Sequence, residues 1–269
     1  TEDFRSQLDK SPDLIREAFQ SMVNSTADKW VEMSQIFNTC TPISNSSDVN
    51  HLYSHYSNGY QYMAMTDYPY PAFFLEPMPA WPVAEAVKPF ADIPLLSEVA
   101  QSRSTVSEWI EAFISTVAAP FSATNGGLTD RERQLFTALA ESTNVYFNYT
   151  GNYPCTNLSD WEGTGDLDGY GWNILACNQL AMPIGYGPDS MFLEQSFDYE
   201  AYTAWCQDLY GLTPDYTWAL RYFGGFNIDK DFMAATNAIY SNGQLDPWRA
   251  GGLNKNVTVD GSGIALYIE

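Results

Sequence analysis

The chain has 269 residues, 45% of them apolar and 15% aromatic, which is enough to fill one large hydrophobic core or two small ones. Its 33 acidic residues against 12 basic ones leave a formal net charge of -21. That argues against nucleic acid or an anionic membrane surface as a partner, because both are recognised by clustered cations.

The pattern from residue 1 to about residue 150 is mostly helical. Ser11-Pro12 reads as a cap followed by a first-turn proline, and Leu14, Ile15, Phe19 and Met22 recur at helical spacing through Asp13–Val23. A second helix is expected from Ser25 to near Cys40, with Trp30, Val31, Met33 and Phe37 on its apolar side, and a third from Asp48 to Met65. Prolines at 69, 71, 77, 79, 82 and 89 predict an extended segment, since an interior proline removes a helical hydrogen bond and clashes with the preceding turn. Helical periodicity resumes between Ser97 and Val117 and again after Thr129, where Thr129 and Glu132 have the spacing of a capping box.

From Asn148 the character changes. Sequence rich in Gly, Tyr and Asp leads into the run from Trp172 to Cys177, and a helix from about Tyr199 is expected to end at Gly211. The last part reads as strand, loop and strand: Asn237–Ser241, then Asn242 to Trp248, then Gly263–Ile268. No apolar run approaches the ~20 residues needed to span a bilayer. The sequence pI near 4.1 suits an acidic lumen or the cell exterior.

Asp246 follows a short strand, at the C-terminal end where α/β sheets keep their active sites, and such a carboxylate orients the histidine of a Ser, Asp, His hydrolase. Asn242-Gly243 and Asp246-Pro247 are also turn dipeptides, so a plain turn is the competing reading. Trp248 stands two residues on and is a candidate pocket wall. Ser262, in Gly261-Ser262-Gly263, precedes a strand and reads as a turn rather than a nucleophile. His51 and His55 lie four apart on a helix, but Leu52 stands where a zinc protease has its glutamate and no third ligand is evident, so neither a metal nor another cofactor is expected. Cys40, Cys155, Cys177 and Cys206 form no CxxC pair and read as two disulfides. Sequons at Asn24, Asn45, Asn148, Asn157 and Asn256 agree with a secretory route, and a start at Thr1 reads as an internal piece of a longer precursor.

Asn242-Gly243-Gln244-Leu245-Asp246-Pro247-Trp248, with Gly251-Gly252 beyond it, resembles the NG-x-LDPW-x-x-GG signature of the lysosomal Pro-Xaa carboxypeptidase and dipeptidyl peptidase II family of serine peptidases. Further blocks follow the family order: Thr1 to Phe4, Asp67 to Tyr70, Pro77 to Val83, Ala176-Cys177, Met182-Pro183 and Asp189 to Phe192. The resemblance implies an α/β fold: the C-terminal part of an α/β-hydrolase, residues 151–269, with an inserted helical cap domain, residues 1–150. It implies that Asp246 is the triad aspartate and that Trp248 and Met182 line a pocket for a proline-like or small residue. It also implies pairing of Cys40 with Cys155 and of Cys177 with Cys206. A further family bridge, between the regions of Pro12 and Val87, has no cysteine at either end, and Gln179 stands where many members carry Glu.

In the family order the nucleophilic serine precedes residue 1 and the catalytic histidine follows residue 269, so the isolated chain is expected to be inactive. The implied whole is a lysosomal or secreted serine exopeptidase that takes a peptide substrate next to proline, with a homodimer an allowed assembly. The acidic balance favours holding a free amino group, hence dipeptidyl release of Xaa-Pro or Xaa-Ala. Pro-Xaa carboxypeptidase action is the alternative and would want a placed Arg or Lys. A truncated, catalytically inactive family member acting as a binding protein is the third reading.

Overall fold

The computed structural model describes residues 10–73, 75–97, 127–158, 169–244, 246, 248, 251–253, 255 and 263–268. They fall into two compact units, one comprising Thr1–Gly165 with Pro188–Leu193, the other Asp166–Gly187 with Glu194–Glu269.

The first unit is a helical assembly around one long helix. Helix α1 (Ser11–Val23) buries Leu14, Ile15, Ala18, Phe19 and Met22, the apolar stripe its spacing dictates. Each large side chain removed from water contributes about 1.5–3 kcal/mol. Ser11 is not its cap. Lys10 occupies the N-cap, and Ser11 and Pro12 form the first turn, where proline's missing N–H costs no hydrogen bond. Helix α2 (Ala27–Ile36) stops before Cys40 because Asn38 turns into the left-handed region (φ 46°) and Thr39 pairs with Thr156. Met33 and Phe37 are buried as expected, but Val31 is 66% exposed, so the apolar face is narrower than the sequence suggests.

Helix α3 (Ser46–Met65) starts at an Asn45 cap whose side chain accepts from the Asp48 N–H, and it buries Leu52, Tyr56, Tyr60 and Met63. The proline-rich segment is not wholly extended. Pro82 opens helix α4 (Pro82–Val87) and Pro89 lies in a 3-10 turn (Lys88–Phe90), both first-turn positions that proline tolerates. Trp81 precedes α4 in the left-handed region (φ 53°), and the Asp67 carboxylate accepts from the Val83 N–H at 3.0 Å. Burial pushes the Asp67 carboxyl up against the opposing effect of that bond. The helix expected between Ser97 and Val117 lies beyond Ser97 outside the described residues.

Helix α5 (Asp130–Phe147) packs against α1, α2, α3 and α4. Its capping box is complete: Thr129 accepts from the Glu132 N–H and Glu132 accepts from the Thr129 N–H. Three consecutive side chains in its first turns reach the neighbouring helices. Arg131 makes a two-pronged pair with Glu17 of α1 (2.9 and 2.6 Å), Glu132 pairs with Lys29 of α2 (2.7 Å), and Arg133 pairs with Glu32 of α2. In the core, Tyr60 donates to Ser142 Oγ (2.8 Å), which donates to the Ala86 carbonyl (2.5 Å). The segment Pro188–Leu193 joins this unit by burying Met191 and Phe192, the latter stacked on Phe19 at 6.3 Å.

In the second unit, α6 (Gly169–Asn178) and α7 (Tyr199–Tyr210) are followed by short helices α8 (Trp218–Phe223) and α9 (Ile228–Asp231) and by strands β1 (Ala238–Gly243) and β2 (Gly263–Ile268). Helix α7 is capped by Asp198 and ends at Gly211 (φ 66°), where a side chain would be strained. The strands pair in parallel from Ala238 with Gly263 to Gly243 with Ile268. Strand β1 therefore runs two residues past the expected end at Ser241. Among the described residues no helix is long and apolar enough to cross a membrane.

Candidate active site

Strand β1 alternates in exposure. Ala238, Tyr240 and Asn242 lie on its half-buried side, with Tyr240 edge-on to Phe232 (6.2 Å), whereas Ile239 and Ser241 are exposed. Asp246 comes directly after the C-terminal end of this strand, in a turn closed by its own N–H donating to the Gly243 carbonyl (3.3 Å). A side chain at 243 would put its Cβ 3.3 Å from that of Asp246, a tight contact that the absence of a side chain at Gly243 avoids.

The Asp246 carboxylate accepts from the Trp248 N–H (2.8 Å), and the Trp248 carbonyl accepts from the Gly251 N–H (3.0 Å). The Asn242 amide donates to the carbonyl of buried Leu253 (2.9 Å), and Lys255 pairs with Asp229 of α9 (2.8 Å). A carboxylate anchored through one oxygen by a backbone N–H retains lone pairs for a further donor such as an imidazole N–H. Its exposed position gives such a donor access.

Asp246 and Trp248 are thus brought together, and the Trp248 side chain is 43% exposed. Met182 is half-buried on a separate irregular stretch of the same unit. The Asn242 bond to Leu253 is the feature that sequence reading missed. Asn242 was legible as half of an Asn-Gly turn and as the head of the family signature, and neither signals that the chain returns to it at Leu253.

Both implied disulfides are present. Cys40 and Cys155 are bridged within the first unit, and Cys177 and Cys206 join α6 to α7. His51 is exposed, whereas His55 is buried with its ring stacked on Phe147 at 3.7 Å, so the two imidazoles occupy different environments. Of the sequons, Asn24, Asn45 and Asn157 are exposed. The Asn148 side chain is half-buried and bonds both the N–H and the carbonyl of Tyr153. Asn256 and Ser262 lie outside the described residues.

Comparison with known proteins agrees with the signature around Asp246. The model of the serine carboxypeptidase S28 family matches residues 2–269. A lysosomal Pro-X carboxypeptidase from Bos taurus is 32% identical over 262 residues, covering 96% of this chain and 44% of the relative. Its counterpart from Homo sapiens is 28% identical over 261 residues, with the same coverage of both chains. A prolyl carboxy peptidase like protein 5 from Caenorhabditis elegans is 29% identical over 238 residues, covering 84% of this chain and 40% of the relative. The chain spans less than half the length of these curated relatives. With the family model matched almost from end to end, the chain belongs to the serine carboxypeptidase S28 family.

Proposed function

We propose that the full-length protein is a lysosomal serine exopeptidase of the α/β-hydrolase type that cleaves next to proline, acting as a Pro-Xaa carboxypeptidase. The observation that carries this reading is Asp246, presented just beyond the end of a parallel strand with its carboxylate fixed by the Trp248 N–H. The names of the relatives favour carboxypeptidase action and a lysosomal setting.

In this reading a serine outside residues 1–269 attacks the scissile carbonyl. A histidine, also outside them, takes its proton and passes it to the leaving amine. Asp246 holds the imidazole in the useful tautomer and stabilises the imidazolium. Trp248 and Met182 are assigned to the wall against which the proline-like residue packs, and residues 1–150 to the helical cap domain. Dipeptidyl release of Xaa-Pro or Xaa-Ala is the second reading. It is supported by the formal charge of -21, which suits a substrate's free amino group.

The test is hydrolysis by the full-length protein at acid pH of a peptide ending in Pro-Xaa against Xaa-Pro and Xaa-Ala reporter amides. Release from the first and not the others is expected, and the reverse pattern would select dipeptidyl action. Asp246→Asn should keep the fold and lower turnover by about 10⁴. Near-normal turnover would remove Asp246 from the mechanism.

A further inference from the structure

We infer that Asn242 is a positioning residue for Asp246, acting by closing the loop that carries it. The inference rests on the reading of Asp246 as the carboxylate that orients the histidine. Asn242 lies near the end of β1 on the half-buried side. Its Nδ2 donates to the carbonyl of Leu253, beyond the Asp246 loop, at 2.9 Å. A carbonyl can only accept, so the bond requires the amide nitrogen there, and neither aspartate's carboxylate nor an aliphatic residue can supply it.

The bond ties the start of the loop to its end, and Leu253, whose side chain is buried, anchors that end. Between these two ends the Gly243 carbonyl accepts from the Asp246 N–H, the Asp246 carboxylate from the Trp248 N–H, and the Trp248 carbonyl from the Gly251 N–H. Each link fixes the next, and the last stops just before Leu253. Without the Asn242 bond, the end of the loop at Leu253 is still held by the burial of Leu253 and by the Lys255–Asp229 pair, but it is no longer tied directly to the end of β1. Asp246 then keeps its bond to the Trp248 N–H, but the pair can move together relative to β1. A triad carboxylate that moves as a body no longer meets the imidazole at a fixed angle, and orientation is what its contribution to turnover depends on.

The experiment uses the full-length enzyme, with kcat normalised to sites titrated by a serine-directed phosphonate. Asn242→Ala should lower kcat about tenfold, the effect of one lost hydrogen bond on a transition state, with KM changed less than twofold. The acid limb of the kcat/KM profile should move to lower pH in N242A, in the same direction as in D246N, because a loosened carboxylate stabilises the imidazolium less. Asn242→Asp keeps the side chain's shape but turns the donor into an acceptor facing a carbonyl. It should lose at least as much at neutral pH, and it carries the test if N242A does not fold.

Normal kcat per titrated site in both Asn242 variants, with D246N crippled, would overturn the proposal and leave the role of Asp246 standing. A fall in yield alone, with kcat per site and the acid limb unchanged, would also overturn it, by showing a purely structural bond. Near-normal turnover in D246N would instead remove the reading on which the proposal rests.

Discussion

Removing the Cys40–Cys155 bridge by a Cys40→Ala, Cys155→Ala double substitution should destabilise the first unit severely without changing its native contacts. The bridge joins residues 115 apart in sequence. In the chain-entropy account, closing a loop of that length restricts the unfolded chain by about 4.8 kcal/mol at 25 °C, against about 3.6 kcal/mol for the bridge between residues 29 apart, Cys177 and Cys206. The native geometry around the long bridge does not depend on sulfur alone. The Cys40 N–H donates to the Thr156 carbonyl (2.9 Å), the Thr156 N–H to the Asn38 carbonyl (2.8 Å), the Asn38 amide to the Pro154 carbonyl (2.8 Å) and the Thr156 hydroxyl to the Phe37 carbonyl (2.9 Å). The two segments should therefore stay together when the thiols are gone, and the loss should act through the unfolded state. Urea unfolding of the wild type and of both double-alanine variants, followed by far-ultraviolet circular dichroism, measures this. The long-bridge variant should lose about 1 kcal/mol more than the short-bridge variant, and its denaturant dependence should steepen because an unlinked chain exposes more surface on unfolding. An unchanged midpoint, or a larger loss for the short bridge, would refute the loop-entropy reasoning.

Two further outcomes follow from the helical unit. Glu32→Gln should cost about 1 kcal/mol near neutral pH, a modest figure because the Glu32–Arg133 pair is about one-third exposed. The hydrogen bond from Arg133 is the main reason that the Glu32 carboxyl is held below the ordinary carboxylate range. The contribution is therefore complete above the unfolded-state value of about 4.3 and is lost as pH falls through the lower folded-state value. Melting curves of wild type and E32Q should converge at strongly acid pH, and a gap that widens on acidification would contradict the assignment. Gly59→Ala should lower the melting temperature. The propensity gain of about 1 kcal/mol within α3 is outweighed by overpacking of about 1–3 kcal/mol, because the added Cβ would stand 2.7 Å from the Phe147 ring, itself stacked on His55. A variant as stable as wild type would mean that the ring yields freely.

What could be read in advance was local. The Thr129–Glu132 box, the stop at Gly211 and the two flanking strands of the Asp246 loop are each written within a few residues, and each is found there, the first strand running two residues further than expected. The cap of α1 was misread because Ser11 has the chemistry of a cap, yet the helix begins one residue earlier and uses it inside. Pro82 was misread because a proline excludes helix interiors but not helix starts, and only the fold decides which position it takes. The exposure of Val31 depends on where α2 meets its neighbours, and residues far apart in sequence set that. The site divides in the same way. Asp246 could be found because strand, turn and signature coincide over ten residues, whereas the Asn242–Leu253 bond exists only once the loop has closed.

The fan of charges at the start of α5 bears on the molecule's outward field. Lys29, Arg131 and Arg133 pair with carboxylates of neighbouring helices, which commits three of only 12 basic side chains to contacts between helices. Arg16, Lys88, Arg221 and Lys255 are matched to acids as well. With 33 acidic residues against 12 basic ones, self-repulsion of the chain is large at neutral pH and fades as the medium approaches the sequence pI of 4.1. This electrostatic preference for acidic surroundings comes from the composition of the chain and belongs to no single titrating group.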